Sequence, residues 1–509
     1  MNILYTSVVV LYVLAMLAVG YWCIERTKSV GDFFLGGRTL GPWMSAFAYG
    51  TTYFSAVLFI GYAGRLGWGF GIQTLWIALG NTLIGTLFAW QLLARRTRDM
   101  TARLNVMTMP EFLCARYGSK PLQVIAALVV FLFLVPYSGS VYMGLSYLFQ
   151  KALGLEYNTA LIFLAALTGV YLVMGGYFAV AVSDFIRGIL EFAAVAIMVL
   201  LLANMKGGFY ETFTRLLDPK YMPALHPPPL PPGAPLPAGM QFPGWLTLAS
   251  LVLITSFGPW ALPQMVQKFY SIRSKADVNR AMIIATVFAL FMSFGAYYSG
   301  ALTHLFFTNP KIDLAPILNP ITRKPDLDLL MPHFLLTYVP HWLVLVILLL
   351  VFSASMSSLS SLVLVSSSAI VIDIYGAFGR RESHPKQTVL LMRVVCGIFV
   401  LLSLLIALSK VDVIVNLMVI AWGALSGAFL APYLYGLFWK RTTRAGAYAG
   451  MLAGLVTAVG LFLYWGKPGI PVAGALAMVL PLVVVPAVSL LTAPPPASLV
   501  DRAFGEQPH

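Results

Sequence analysis

Apolar residues dominate this chain in long blocks, and the blocks predict its architecture. Runs near 3-23, 42-64, 72-94, 122-150, 157-174, 182-204, 244-267, 278-306, 335-374, 388-409, 412-438, 445-465 and 470-492 approach or exceed the about 20 residues that a helix needs to cross a hydrocarbon core. They predict an all-α polytopic membrane protein of about 13 transmembrane helices. Several runs are longer than a bilayer requires, so tilt or breaks are expected.

Polar and helix-breaking residues interrupt the blocks at particular places. The second run contains Gly50, Thr51, Thr52, Tyr53 and Ser55, a polar patch in an apolar helix that predicts a break. In the fourth, Pro136 to Ser140 predicts another interruption. The seventh carries Gly258, Pro259 and Pro263, which a regular helix cannot hold together because proline removes a donor and clashes with the preceding turn. In the ninth, Val351 to Tyr375 brings Ser353, Ser355, Ser357, Ser358, Ser360 and Ser361 into an apolar helix. Spacing of three and four residues places Ala354, Ser357, Ser358 and Ser361 on one face. Hydroxyls at membrane depth are costly unless satisfied, either by close helix packing and bonds to the helix's own carbonyls or by a ligand.

Breaks in the second and seventh runs, five helices apart, are the sign of an inverted-repeat transporter that binds its cargo at unwound mid-membrane segments. The chain then divides into 1-41, an extra helix and cytoplasmic loop; 42-204, the first repeat; 205-243, a proline-rich extracellular loop; 244-438, the second repeat; and 439-509, two further helices and a tail. Near Pro110 a short interfacial helix is expected, with an anchoring role.

Composition agrees with a membrane protein: 60% hydrophobic, 10% charged and a mean hydropathy of +0.86 stand far from a soluble domain. The first run lacks the basic n-region of a signal peptide and reads as a retained helix. If the spans alternate from an external N-terminus, 21 of the 32 Lys and Arg fall on the side of the 24-41 loop and 10 opposite, with Arg187 inside a span. That side is cytoplasmic by the positive-inside rule, which places the C-terminus there too. The net charge of +14 reports this bias and needs no nucleic-acid partner. Three scattered cysteines give neither a disulfide framework nor a zinc site.

Charged residues inside a span call for partners or a function. Arg187 and Glu191, four apart, are expected to pair, which leaves Asp184 over. Sodium takes neutral or carboxylate oxygens, and a broken helix with a serine face supplies carbonyls and hydroxyls. One charge crossing 100 mV is worth about 2.3 kcal/mol, enough to drive uphill uptake.

The residues DFFLGGRTLGPW, GGYFAVAVSD, SASMSSLSSLVLVSSSAIVIDIY and LFWKRTTRAGAYAGMLAG, in that order along nearly the whole chain, resemble the sodium:solute symporter family. The resemblance implies a LeuT-type core of five plus five helices with one extra N-terminal helix, and Na+ as the coupling ion. By position it implies a main sodium site from the carbonyls of Thr51, Phe54 and Ala354 with the hydroxyls of Ser357 and Ser358. It implies a second sodium at Asp184, Ser360 and Ser361. Arg187 departs from the family's glutamine-like position there, so it either weakens a second sodium or pairs with Glu191. Substrate contacts are expected from Tyr53, Ser55, Tyr137, Trp260, Pro263 and Gln264. Proline-transporting members carry an aspartate where Tyr53 stands, which weakens a proline assignment; Tyr53, Tyr137 and Trp260 are expected instead to wall a pocket for a mainly apolar organic solute, such as a carboxylate.

The expected function is sodium-coupled import of a small organic solute, such as an amino acid, monocarboxylate or vitamin-like compound, across the plasma membrane. A proton-coupled transporter of the same fold is the nearest rival, with Asp184 as its titrating group. A membrane sensor is disfavoured by the short tail, and an enzyme by the lack of a base beside the serines.

Overall fold

The computed structural model describes residues 2–23, 34–35, 38–226, 242–308, 310–318, 323–378 and 385–505. Most of the glycine-rich connection after the first span and the centre of the proline-rich loop, 227–241, lie outside them. Among the described residues the regular structure is all helical, with only two isolated bridges, Leu40 with Ile272 and Leu318 with Pro325.

The first span is α1, Asn2–Cys23. The second is divided into α2, Pro42–Tyr53, and a π-helical α3, Val57–Leu66. The third is α4, Leu75–Thr82, running into π-helical α5, Leu83–Ala94. The expected interfacial helix is α6, Met109–Tyr117. Then come α7, Lys120–Leu153, and α8, Tyr157–Asn204. Across the proline-rich loop, the seventh span is divided into α9, Gly244–Phe257, and α10, Pro263–Ser271. They are followed by α11, Lys275–Phe306, and the serine helix α12, His341–Ser368. The last four are α13, Pro385–Ser409; α14, Ile414–Phe438; α15, Arg444–Trp465; and α16, Ile470–Leu491.

Among the described residues, 10 helical segments are long and apolar enough to cross a membrane, with shorter apolar helices at Leu4–Ala18 and Tyr157–Val170. Where consecutive segments meet without a loop they merge, as in Val57–Arg103. The expected fifth and sixth spans likewise form one helix of 48 residues, α8.

The expected interruption at Pro136 is absent: α7 runs through it as one helix of 34 residues. Proline is tolerated inside a membrane helix when neighbours cover the freed backbone, and Tyr137 to Phe149 are all buried. The Ser140 hydroxyl donates back to Tyr137 O at 2.7 Å, so that polar group is absorbed by its own helix.

Helix α6 is tied to the elements around it. Thr108 caps its N-terminus by accepting from Glu111 N at 3.0 Å, and Gly118 closes it at φ +63°, a conformation suited to glycine. Buried Arg116 donates to Gly436 O, Trp439 O and Lys440 O at 2.9, 3.1 and 3.3 Å. A guanidinium there satisfies the exposed carbonyls at the end of α14 and suits its negative dipole end.

Helix α8 packs against α1, α2, α11, α12 and α13, while α14, α15 and α16 pack on one another. Close approach between backbones fixes α11 beside the second span. A Cβ on Gly300 would lie 2.0 Å from Ala63 O, and one on Gly67 would lie 2.5 Å from Gly300 C. Small residues permit such contacts in membranes. Gly300→Val is therefore expected to cost about 1–3 kcal/mol by overpacking, seen as a lower melting temperature in detergent; an unchanged melting curve would show that the helices part freely.

Candidate functional site

The first break lies against the serine helix, and Tyr53 and Lys268 join the two to the second broken span. Helix α2 ends on the bond from Phe54 N to Gly50 O, 3.1 Å, after which Phe54 is extended at φ −110° and ψ 119°. The chain turns helical again at Ala56, whose N–H donates to Ser355 Oγ at 3.2 Å, while Val57 N donates to Ser55 Oγ at 3.2 Å. Side-chain oxygens thus replace the backbone acceptors that a continuous helix would have offered.

On α12 the serines divide by direction. Ser360, Ser367 and Ser368 donate to their own helix at Met356 O, Leu364 O and Val365 O, 2.6 to 2.9 Å, which is the packing role. Ser357, Ser358 and Ser361 instead face α2. Ser358 Oγ donates to Thr52 O at 3.1 Å and reaches Thr51 O at 3.4 Å. Ser357 Oγ donates to Thr51 Oγ1 at 2.8 Å, and the hydroxyls of Ser361 and Thr52 are hydrogen-bonded to each other at 3.0 Å. Ala354 lies one turn earlier, fully buried, and Phe54 is the residue at which α2 unwinds. The arrangement gathers hydroxyl and carbonyl oxygens from two helices in a buried place, a set suited to a hard monovalent cation. Among the described residues, no group of three His, Cys, Asp or Glu comes together that could hold a metal.

Next to this face lies a group that sequence reasoning missed. Lys268, on α10, is fully buried, and its ammonium donates to Ser361 Oγ at 3.0 Å. It sits 4.9 Å from the centre of the Tyr177 ring and within electrostatic reach of Asp184. The expected seventh span stops at residue 267, which leaves Lys268 among the loop charges. Asp184 pairs with Arg187 at 3.7 Å, both fully buried. Positions three and four apart share a helix face, and the guanidinium is attracted both by Asp184 and by its expected partner Glu191. Arg187 Nε also donates to the Tyr12 hydroxyl at 3.2 Å, which in turn donates to Ser353 Oγ at 3.1 Å. The extra helix α1 is thereby tied to the charged cluster and to the serine helix.

The substrate candidates are gathered unevenly. Tyr53 donates to Thr255 O at 2.5 Å, bridging the two broken spans. Its ring stacks on Trp422 at 6.0 Å and 27°, and Tyr137 meets the other side of the cluster edge-on to Trp422 at 5.9 Å. Trp422, on α14, carried no signal in the sequence to separate it from core aromatics. Gly258 packs against the same indole, where a Cβ would lie 2.7 Å away. Trp260 turns elsewhere, donating to Ile84 O at 2.8 Å and lying beside Phe257. Ser55 is engaged with Val57, as above. Pro263 opens α10, and Gln264 follows it with Oε1 buried and without a protein partner. Trp422 Nε1 is likewise buried without a partner at hydrogen-bond distance, with the Tyr137 side chain as its polar neighbour.

The sodium:solute symporter family model matches residues 33–454. The chain is 30% identical to the high-affinity proline transporter PutP of Bacillus subtilis, over 96% of this chain and 98% of that one. It is 29% identical to the osmoregulated proline transporter OpuE of the same organism, over 88% and 86%. Among solved structures, it shares the fold of a substrate-bound, outward-open Na+-coupled sialic acid symporter, with a TM-score of 0.75 at 19% identity over 96% of this chain and 98% of that one. These relatives are transporters and not enzymes, and the chain belongs to the sodium:solute symporter family.

Proposed function

We propose that this protein is a sodium-coupled symporter of the plasma membrane that imports a small organic solute by alternating access, with its N-terminus outside and its C-terminus in the cytoplasm. The observation that carries the reading is the seating of Ser357 and Ser358 on the unwound end of α2, within hydrogen-bond distance of Thr51 and Thr52. In this reading one sodium is held by the carbonyls of Thr51, Phe54 and Ala354 and the hydroxyls of Ser357 and Ser358. With sodium bound, each hydroxyl turns its proton away and presents a lone pair. Neutral ligands hold the ion without trapping it, as a site that empties every cycle requires. Because the ligands come from α2 and α12, sodium binding fixes the two helices against each other and prepares the break beside them for the solute.

The solute pocket is proposed between the two breaks, walled by Tyr53, Tyr137 and Trp422, with Ser55, Trp260 and Pro263 around it. Gln264 Oε1 and Trp422 Nε1, an acceptor and a donor buried without partners at hydrogen-bond distance, suit the opposite ends of a zwitterion. Leaving them unpaired costs about 1–3 kcal/mol each, which a bound solute would recover. An amino acid with an apolar body fits this lining. Proline is the first to test, since the relatives named above are proline transporters. Proteoliposomes holding an inward sodium gradient are expected to accumulate radiolabelled proline. Excess unlabelled amino acids are expected to compete, and sugars are not. Competition by sugars alone, or accumulation of none of the panel, would contradict the pocket's assignment.

A further inference from the structure

The resemblance to relatives implied a second sodium at Asp184, Ser360 and Ser361, yet Lys268 already donates to Ser361 and is attracted by Asp184. We propose that the Lys268 ammonium is a resident cation standing in for a second sodium, so that this transporter carries one sodium per solute. The inference rests on the sodium-coupled reading above and sets its stoichiometry.

Three observations carry it. First, the two hydroxyls that a second sodium needs are already engaged, Ser361 Oγ accepting from Lys268 at 3.0 Å and Ser360 Oγ donating to Met356 O at 2.6 Å, while the Asp184 carboxylate faces cations, Arg187 at 3.7 Å and Lys268. Second, among the described residues, the fully buried charges of this cluster balance formally. Asp184 and Glu191 are acids, Arg187 and Lys268 bases, and all four are fully buried. A further monovalent cation would add an unpaired charge beside the ammonium, where both burial and repulsion oppose it. Third, the ammonium has a built seat. It lies over the face of Tyr177 at 4.9 Å, donates to Ser361, and is attracted by Asp184. An ammonium and a sodium ion have the same charge and take the same kinds of oxygen, but the ammonium is covalently held.

That tether has a mechanical consequence. Lys268 belongs to α10, beyond the second break, Ser361 to α12, and Thr52, bonded to Ser361 at 3.0 Å, to the end of α2. A bound second sodium would join these elements only while present. The lysine joins them in every step of the cycle, including the return without cargo, and never leaves with the solute.

Equilibrium binding of 22Na+ to the purified full chain tests the proposal without needing the solute. The wild type and Lys268→Arg are expected to bind one sodium per protein, and Lys268→Met two, because removing the ammonium frees Ser361 and leaves a carboxylate to be matched. Two sodium ions on the wild type, or still one on Lys268→Met, would overturn the proposal. Should Lys268→Met fail to fold, the wild-type count decides alone. Failure of the underlying reading looks different: a wild type that binds no sodium defeats sodium coupling itself.

Discussion

Asp184→Asn is expected to destabilise the protein by about 3–5 kcal/mol, because breaking a buried ion pair strands its partner in low dielectric. Here the loss takes an acid away from two cations, Arg187 at 3.7 Å and Lys268 nearby, and leaves Glu191, which also attracts Arg187. Asparagine keeps the size and much of the hydrogen-bonding capacity, so the effect isolates the charge. The check is thermal or denaturant unfolding in detergent, followed by tryptophan fluorescence. The double variant Asp184→Asn with Lys268→Met removes one charge of each sign and should recover at least half of the loss. Unfolding of Asp184→Asn within about 0.5 kcal/mol of the wild type, the range of an unremarkable surface change, would mean that Asp184 does not balance the cluster.

Ser358→Ala is expected to raise the sodium concentration needed for half-maximal uptake by about tenfold or more. A hydrogen-bonding or ligating oxygen acting on a charge is worth about 1.5–3 kcal/mol, and each 1.4 kcal/mol is a factor of ten in affinity. Ser358 is the hydroxyl that reaches both Thr51 O and Thr52 O, so its removal should outweigh that of any other serine on α12. Ser367→Ala is the control, since that hydroxyl bonds Leu364 O in its own helix; it should leave the sodium requirement within about twofold, the size of a surface-like change. Solute affinity at saturating sodium should change little for either. Equal effects from the two substitutions would remove the distinction between the face that serves the site and the face that serves packing.

The parts of this architecture that were legible in sequence are those written in local chemistry. Gly258, Pro259 and Pro263 cannot continue a helix, and the chain breaks there, between Phe257 and Pro263. The polar patch at Gly50 to Ser55 likewise marks the end of α2. The same reasoning failed at Pro136, because whether a proline breaks a membrane helix depends on what surrounds it. On α12, periodicity identified the face of Ser357, Ser358 and Ser361. It could not say which hydroxyls turn back to their own carbonyls, since that is decided by α2 across 306 positions of sequence. Lys268 and Trp422 were missed for related reasons. A hydropathy run has no sharp end, so a lysine one residue past it reads as a loop charge. An indole in an apolar helix reads as core until its neighbours are known. For Arg187 the sequence named only Glu191 as a partner, although Asp184 and Glu191 are both within one helical turn of it and the guanidinium interacts with both.

The most direct measurement of the central claim is initial uptake of proline by proteoliposomes in sodium and in choline buffers, each at two pH values, with the same solute and the same inside-negative potential. Sodium coupling predicts accumulation above the external concentration in sodium at both pH values and none in choline. Equal uptake in the two buffers, or uptake that follows the proton gradient whichever cation is present, would contradict it.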